Sequence, residues 1–123
     1  MQHSPEFLKI VNAARENIKE VTLEEATEIL KKNPEATLVD VREESEWNQA
    51  HAKEAQHLGK GIFERDLESR FPDKNQELVL YCGGGYRSAL SAEAARMMGY
   101  SNVYSLIGGY KAMVAADWPM DHE

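Results

Sequence analysis

The chain has 123 residues, 42% of them hydrophobic and 28% charged, which is sufficient for one domain with a buried core and too short for two of ordinary size. Its 21 acidic and 14 basic residues give a net charge of −7, which opposes binding to polyanions, so nucleic acid is not an expected partner. No apolar run approaches the ~18 residues that a membrane span needs, so no membrane association is predicted.

Two further features limit the function classes. The first residues lack the basic start and apolar stretch of a secretory signal, which predicts a cytoplasmic location. The chain has one cysteine, Cys82, which excludes an internal disulfide, a Cys-x-x-Cys redox pair and a cysteine-based zinc site. If Cys82 reacts, it therefore reacts alone or with a second molecule.

The first part of the chain contains two helical patterns. Residues 4–18 carry apolar side chains at three- and four-residue steps, with Ser4 as the predicted N-cap and Pro5 at the first helical position. A capping-box pattern at Thr22 and Glu25 begins a second predicted helix, which ends before a proline. Both helices are predicted to be amphipathic.

From residue 36 onward, strand and helix patterns alternate. Apolar runs typical of buried strands occupy residues 36–42, 77–82 and 102–108. Helical patterns occupy residues 44–50, 62–71, 87–99 and 109–118, and residues 51–59 are irregular or contain a short strand. This alternation implies crossover connections, so the predicted fold is α/β with a mainly parallel sheet covered by helices on both faces.

The segment from Cys82 to Arg87 carries the residues with the clearest chemical role. Cys82 ends a predicted strand, and α/β proteins bind ligands beyond the carboxyl ends of their strands. Gly83, Gly84 and Gly85 permit positive φ and let backbone amides converge on one point. Those amides, the start of the next helix and the charge of Arg87 all favour a thiolate. We therefore predict that Cys82 is a nucleophile in an anion-binding loop.

A purely structural interpretation of this loop competes with the chemical one. A lone cysteine at the end of a buried strand is more often a small hydrophobic side chain, and glycine-rich turns from strand to helix also occur without catalysis. The order of cysteine, glycines, arginine and helix start is the order that an anion-handling nucleophile requires. The combination therefore favours a functional site.

Three segments of the sequence resemble motifs of the single-domain rhodanese family. The first is LVDVREESEW at residues 38–47, which resembles the motif D-V-R-x-x-x-E-[WYF]. The second is YCGGGYRSALSA at residues 81–92, which resembles C-x-x-G-x-R-S. The third is VYSLIGGYKAMVAADWP at residues 103–119, which resembles the family's terminal L-x-G-G stretch. The resemblance implies a rhodanese-like domain at residues 20–123 after a helical extension at residues 1–19. It also implies a central, mainly parallel sheet of about five strands flanked by helices on both faces.

The resemblance further implies a sulfurtransferase that needs no metal or organic cofactor. Cys82 would carry a persulfide, formed from thiosulfate or a persulfide donor, and pass the sulfur to cyanide or a thiol; a protein donor or acceptor is an alternative. Arg87 would attract and orient the anionic donor. The sulfur would be held by a substrate-binding loop that consists of Gly83, Gly84, Gly85, Tyr86 and Ser88. Asp40 and Arg42 would support this loop.

Two other functions stay open at this point. Cysteine-dependent phosphatases use C-x5-R, whereas only four residues separate Cys82 from Arg87, and this tighter loop suits a single sulfur better than a tetrahedral phosphate. The other alternative is a non-catalytic rhodanese-like module that only binds partners. Such modules often lack the cysteine, so its presence favours catalysis.

Several features outside the loop have simpler interpretations. Residues 50–55, AHAKEA, stand where the family usually has G-H-I-x-G-A, so the local backbone and one rim of the pocket are expected to depart from the family. The histidines lack metal-ligand spacing, and solvated or capping roles are predicted for His3, His51, His57 and His122. Core positions are predicted for Trp47, Trp118, Met97 and Met98. The acidic run EESE at residues 43–46 is predicted to be a solvated helix start.

Overall fold

The computed structural model describes residues 3–122 and is built around a parallel sheet of five strands. These strands are β1 (Lys19–Val21), β2 (Thr37–Asp40), β4 (Gln56–His57), β5 (Leu78–Tyr81) and β6 (Val103–Leu106). Their order across the sheet is β1-β6-β5-β2-β4, and every neighbouring pair is parallel. The remaining two strands, β3 (Ala50–Ala52) and β7 (Met120–His122), form a separate antiparallel pair. The predicted α/β fold with a mainly parallel sheet is confirmed.

Helices connect the strands and surround the sheet. They are α1 (Pro5–Arg15), α2 (Leu23–Lys32), α3 (Glu44–Gln49), α4 (Phe63–Arg70), α5 (Tyr86–Met97) and α6 (Gly109–Ala115), and a short 3-10 turn (Lys60–Ile62) precedes α4. In the described part of the chain, no helix has the length and apolar character needed to cross a membrane.

The continuously apolar run of β5 follows from burial of both faces of the sheet. Successive side chains of a strand point to opposite faces. Leu78 and Leu80 join one hydrophobic cluster with side chains of α4 and α5, whereas Val79 and Tyr81 join a second cluster with side chains of α2 and α6. All four are fully buried, so this central strand has no solvent-facing side on which a polar residue would be favoured.

The starts of the first two helices agree with the sequence. The Ser4 hydroxyl accepts a hydrogen bond from the Phe7 amide at 3.2 Å. Thr22 and Glu25 form the reciprocal capping box, in which the Glu25 amide donates to the Thr22 hydroxyl at 3.2 Å and the Thr22 amide donates to the Glu25 carboxylate at 2.9 Å. Both predicted helix starts are therefore confirmed, because local hydrogen bonds determine them.

The structure differs from the sequence-based expectation at its short elements. The strands β1 and β7 have three residues each and were not predicted, since so few residues show no detectable period. The predicted boundary between residues 19 and 20 lies within β1. The predicted core position of Met97 is wrong, because its side chain is 81% exposed, whereas Met98 packs against the core.

A buried ion pair closes the carboxyl end of β2. Asp40 and Arg42 are almost completely buried, and the Arg42 guanidinium donates to both Asp40 carboxylate oxygens at 2.8–3.1 Å. Arg42 also donates to the carbonyl of Ala50 at 2.7 Å, which ties β2 to β3. Burial opposes the charged form of Arg42, but the hydrogen bonds and charge of Asp40 outweigh it and raise the pKa of Arg42.

Asp40→Ala should destabilise the protein strongly. The substitution leaves the Arg42 guanidinium buried without its counter-charge, and breaking a buried pair in this way costs about 3–5 kcal/mol. Urea unfolding followed by circular dichroism measures the change. Glu28→Ala, which removes an exposed pair with Lys32 on α2, is the matched control and should leave the midpoint nearly unchanged. Equal midpoints for the two variants would contradict this prediction.

Candidate active site

Cys82 lies directly after β5, at the bottom of the turn that leads into α5. The residue is 1% exposed and its sulfur faces into the turn, where the Gly85 amide donates to Sγ at 3.1 Å. Gly85 precedes the first residue of α5 with φ of +97°, in the left-handed region that favours glycine. Of the loop amides predicted to converge on the sulfur, that of Gly85 donates to it in the structure.

The start of α6 holds the loop from the opposite side. The Tyr110 amide donates to the carbonyl of Cys82 at 2.7 Å, and the Lys111 amide donates to the carbonyl of Gly83 at 3.1 Å. Gly109 has φ of +52°, and a Cβ atom there would collide with the Cys82 carbonyl. Gly108 and Gly109 thus form the turn into α6, and Gly109 also permits this close approach.

A pair of buried hydroxyls lies beneath the sulfur. The Ser88 hydroxyl oxygen is 3.5 Å from Cys82 Sγ and 2.8 Å from the hydroxyl oxygen of Ser105 on β6. Both serines are fully buried. Ser88 was predicted from its position after Arg87, whereas Ser105 was missed, and its only signal was a polar residue inside an apolar strand.

Arg87 lies beside the loop but is already paired. Its guanidinium donates to both carboxylate oxygens of Glu46 on α3, at 2.7 and 3.1 Å. These hydrogen bonds lower the pKa of Glu46 and raise the pKa of Arg87. The prediction of a solvated EESE run is therefore wrong for Glu46, although the E of the family motif D-V-R-x-x-x-E was a signal for it.

Asp40 and Arg42, for which the resemblance implied a supporting role, reach the loop only indirectly, and that role stays a prediction. The Arg42 guanidinium stacks on the ring of Tyr110, 4.3 Å from its centroid, and the Tyr110 amide binds the Cys82 carbonyl. Asp40 orients Arg42 through the buried ion pair. The pair therefore contacts the site through Tyr110, on the side of the loop that carries its carbonyls.

An open cavity of about 790 Å³ leads to Cys82. The lining includes the loop residues Gly83, Gly84 and Tyr86, the Arg87–Glu46 pair and Lys111. The ring of Tyr86 forms part of the pocket wall.

The histidines lie outside a metal-binding arrangement. His51 and His57 bond to the backbone carbonyls of Trp47 and Arg42 at 2.9 and 2.8 Å, and both rings stack on Trp47, which is half-buried. Within residues 3–122, no cluster of His, Cys, Asp and Glu is placed to hold a metal ion. In the altered AHAKEA segment, Glu54 adopts φ of +67°, in the left-handed region that favours glycine, at the position where the family pattern has glycine.

The structure is an α/β domain in which a cysteine follows a parallel strand and lies in a glycine-rich turn, at the end of the sheet where such domains bind ligands. The chain belongs to the rhodanese-like domain family, whose sequence model matches residues 22–116. It is 31% identical over 105 residues to the thiosulfate sulfurtransferase GlpE of Haemophilus influenzae strain PittEE, covering 85% of this chain and 96% of that protein. The corresponding protein of Coxiella burnetii strain RSA 493 is 31% identical over 97 residues, covering 79% and 88% of the two chains.

Solved structures agree with this assignment. The polysulfide-sulfur transferase homodimer of Wolinella succinogenes has a TM-score of 0.79 and 26% identity, covering 95% of this chain and 88% of that one. A Rhodopseudomonas palustris protein of unknown function, described as a possible tyrosine phosphatase, has a TM-score of 0.82 and 24% identity, covering 98% of each chain. The latter likeness concerns the fold alone. Family membership and the named relatives support sulfurtransferase activity at the level of the family.

Glu46→Gln should make Cys82 react faster with iodoacetamide at pH 7. Glutamine keeps a hydrogen-bond acceptor for Arg87 but removes a negative charge from the pocket wall, which favours the thiolate. We expect the rate to rise roughly 3-fold to 10-fold, as for a change of about 1 kcal/mol between nearby solvent-screened charges. Glu44→Gln on the same helix, which is exposed, is the control and should not change the rate. An unchanged or slower rate in Glu46→Gln would show that the Glu46 charge does not act on the sulfur.

Proposed function

We propose that this protein transfers a sulfane sulfur from thiosulfate to a thiol or cyanide through a persulfide on Cys82. The observation that carries the proposal is the Gly85 amide, which points at the Cys82 sulfur at the bottom of an open pocket. The sulfurtransferase names of the relatives support the same reaction class. A protein donor or acceptor and a cytoplasmic location stay predictions.

In the first step, the Cys82 thiolate attacks the outer sulfur of thiosulfate. A bond forms between the two sulfurs, the sulfur–sulfur bond of thiosulfate breaks, and sulfite leaves with the bonding electron pair. Cys82 then carries the outer sulfur as a persulfide anion. No net oxidation or reduction of an external agent is needed, because the sulfane sulfur moves between two nucleophiles.

The loop provides the electrostatic stabilisation for this step. The Gly85 amide donates to Sγ, so negative charge on the sulfur meets a dipole that is already oriented. The Ser88 hydroxyl oxygen lies 3.5 Å from Sγ and can turn its O–H towards a thiolate. The charge of Arg87 is shared with Glu46, so we assign Arg87 a role in attracting and orienting the anionic donor rather than in holding the sulfur.

The loop size argues against the phosphatase alternative. Only four residues separate Cys82 from Arg87, and the Arg87 guanidinium is turned towards Glu46. A phosphoryl group needs several donors around its three equatorial oxygens. This loop fits a single sulfur atom better, so we expect negligible hydrolysis of aryl phosphates.

Wild-type protein mixed with thiosulfate should gain the mass of one sulfur atom at Cys82. Adding cyanide should remove this mass and release thiocyanate, because the persulfide is the electrophile in the second step. Intact-protein mass spectrometry and peptide mapping measure both changes. Cys82→Ala should stay folded and inactive. Transfer that persists in this variant, or efficient aryl phosphate hydrolysis without a persulfide, would rule the proposal out.

Arg87→Ala should raise KM for thiosulfate. A hydrogen bond to a charged group contributes about 1.5–3 kcal/mol, so we expect KM to rise by roughly 10-fold or more, and Arg87→Lys should recover only part of this. Steady-state assays with thiosulfate measure the effect. Arg96→Ala, an exposed arginine in the last turn of the same helix, is the matched control. If both alanine variants keep the wild-type KM, Arg87 does not orient the donor.

A further inference from the structure

The helix α1 lies outside the matched family region and packs on α5. Its buried residues Val11 and Ala14 are fully enclosed, and just after its end Asn17 donates to the Glu93 carboxylate on α5 at 3.1 Å. The Arg15 guanidinium lies over the ring of Tyr86, 5.1 Å from its centroid. Because Tyr86 is the first residue of α5 and belongs to the loop, α1 borders the site of the sulfur.

The beginning of α1 completes one side of the pocket with aromatic rings. The His3 ring lies 4.4 Å from the Tyr86 ring and 5.2 Å from the Phe7 ring, measured between centroids, and Phe7 lies 6.4 Å from Tyr86. All three residues line the cavity that leads to Cys82. We call His3, Phe7 and Tyr86 the aromatic wall.

The rest of the pocket lining carries charged groups. The Arg87–Glu46 pair is internally neutralised there. Lys111 also lines the pocket, is exposed, and makes no ion pair with any residue from 3 to 122. The pocket therefore presents an apolar side, a reactive sulfur at the bottom and an uncompensated positive charge.

The pocket is larger than a small inorganic anion requires. Its volume of about 790 Å³ lies in the range of sites for organic small molecules, which are lined mainly by apolar and aromatic side chains with a few polar groups. Cyanide has two heavy atoms, so it is too small to contact the sulfur and pack against the aromatic wall at the same time. An organic thiol can do both.

We propose that the aromatic wall, through Phe7 and His3 of the N-terminal extension, selects the sulfur acceptor. The acceptor would be an organic thiol whose carbon skeleton packs against these rings and whose anionic group reaches Lys111. This inference rests on the proposed role of Cys82 as sulfur carrier. It assigns a specificity-determining role to residues that precede the matched family region.

The transfer step balances without a further reactant. The acceptor thiolate attacks the outer sulfur of the Cys82 persulfide, a new sulfur–sulfur bond forms, and the bond between the outer sulfur and Sγ breaks. The Cys82 thiolate leaves with the electron pair and regains the Gly85 hydrogen bond. The product is the persulfide of the acceptor.

Steady-state sulfur transfer from thiosulfate by the full chain, with the concentration of the acceptor varied, tests this inference. The probes are thiophenol and cyanide, and the quantity compared is the ratio of their kcat/KM values. Phe7→Ala and His3→Ala should each lower this ratio, by roughly 10-fold for Phe7→Ala, mainly through KM for thiophenol. Ile10→Ala, an exposed apolar residue on the same helix, is the matched control and should keep the wild-type ratio.

A second comparison isolates the charge. Lys111→Gln should reduce transfer to mercaptobenzoate, which carries a carboxylate, more than transfer to thiophenol, which does not. Lys9→Gln, an exposed lysine on α1, is the control and should affect the two thiols equally. Equal loss for both thiols in Lys111→Gln would remove Lys111 from the acceptor site.

The outcomes separate this inference from the proposed function. If the wild-type protein forms a persulfide and passes sulfur to cyanide, but Phe7→Ala keeps the wild-type ratio, the aromatic wall does not select the acceptor. If the wild-type protein forms no persulfide, the proposed function itself fails. Phe7→Leu keeps an apolar side chain on α1 and should lower the ratio partially, which provides the test if Phe7→Ala does not fold.

Discussion

The hydrogen bonds from α6 to the carbonyls of Cys82 and Gly83 determine how the rest of the site is arranged. A peptide unit is planar, so binding its carbonyl on one side turns its amide to the other side. The Tyr110 and Lys111 amides bind the carbonyls of Cys82 and Gly83, so the amides in the same two peptide units, those of Gly83 and Gly84, turn away from α6. The next amide in the turn, that of Gly85, donates to the sulfur. A backbone that faced the other way would place carbonyl oxygens against the thiolate and repel it.

Both arginines near the loop are neutralised by a carboxylate. Arg42 is buried against Asp40, and Arg87 is held by Glu46 in a bidentate pair. A bidentate pair fixes the plane of a guanidinium as well as its position. In the proposed mechanism, negative charge on the sulfur is therefore met mainly by the oriented Gly85 amide, and the charge of Arg87 is partly offset by Glu46. This arrangement suits a site that binds a small anion and must also release one.

Local patterns predicted those parts of the structure that local interactions determine. The capping box at Thr22, the buried run of β5 and the cysteine turn could all be recognised, since each depends on neighbours in the chain or on burial of both strand faces. Glu46 and Ser105 could not be assigned in this way. Their partners lie 41 and 17 residues away in sequence, and only the packing of α3 and β6 brings them to the loop.

The position of α1 follows from the packing of its buried face rather than from the chemistry of the loop. The matched family region begins at residue 22, so the β5–α5 turn and its hydrogen bonds lie entirely within it. Burial of Val11 and Ala14 aligns α1 with α5, and the Ser4 cap fixes where α1 starts. Because α5 begins at the loop, any element aligned with its first turn must border the sulfur. The proposed selection of the acceptor therefore depends on a helix outside the matched region, whereas the hydrogen bond to the sulfur lies within it.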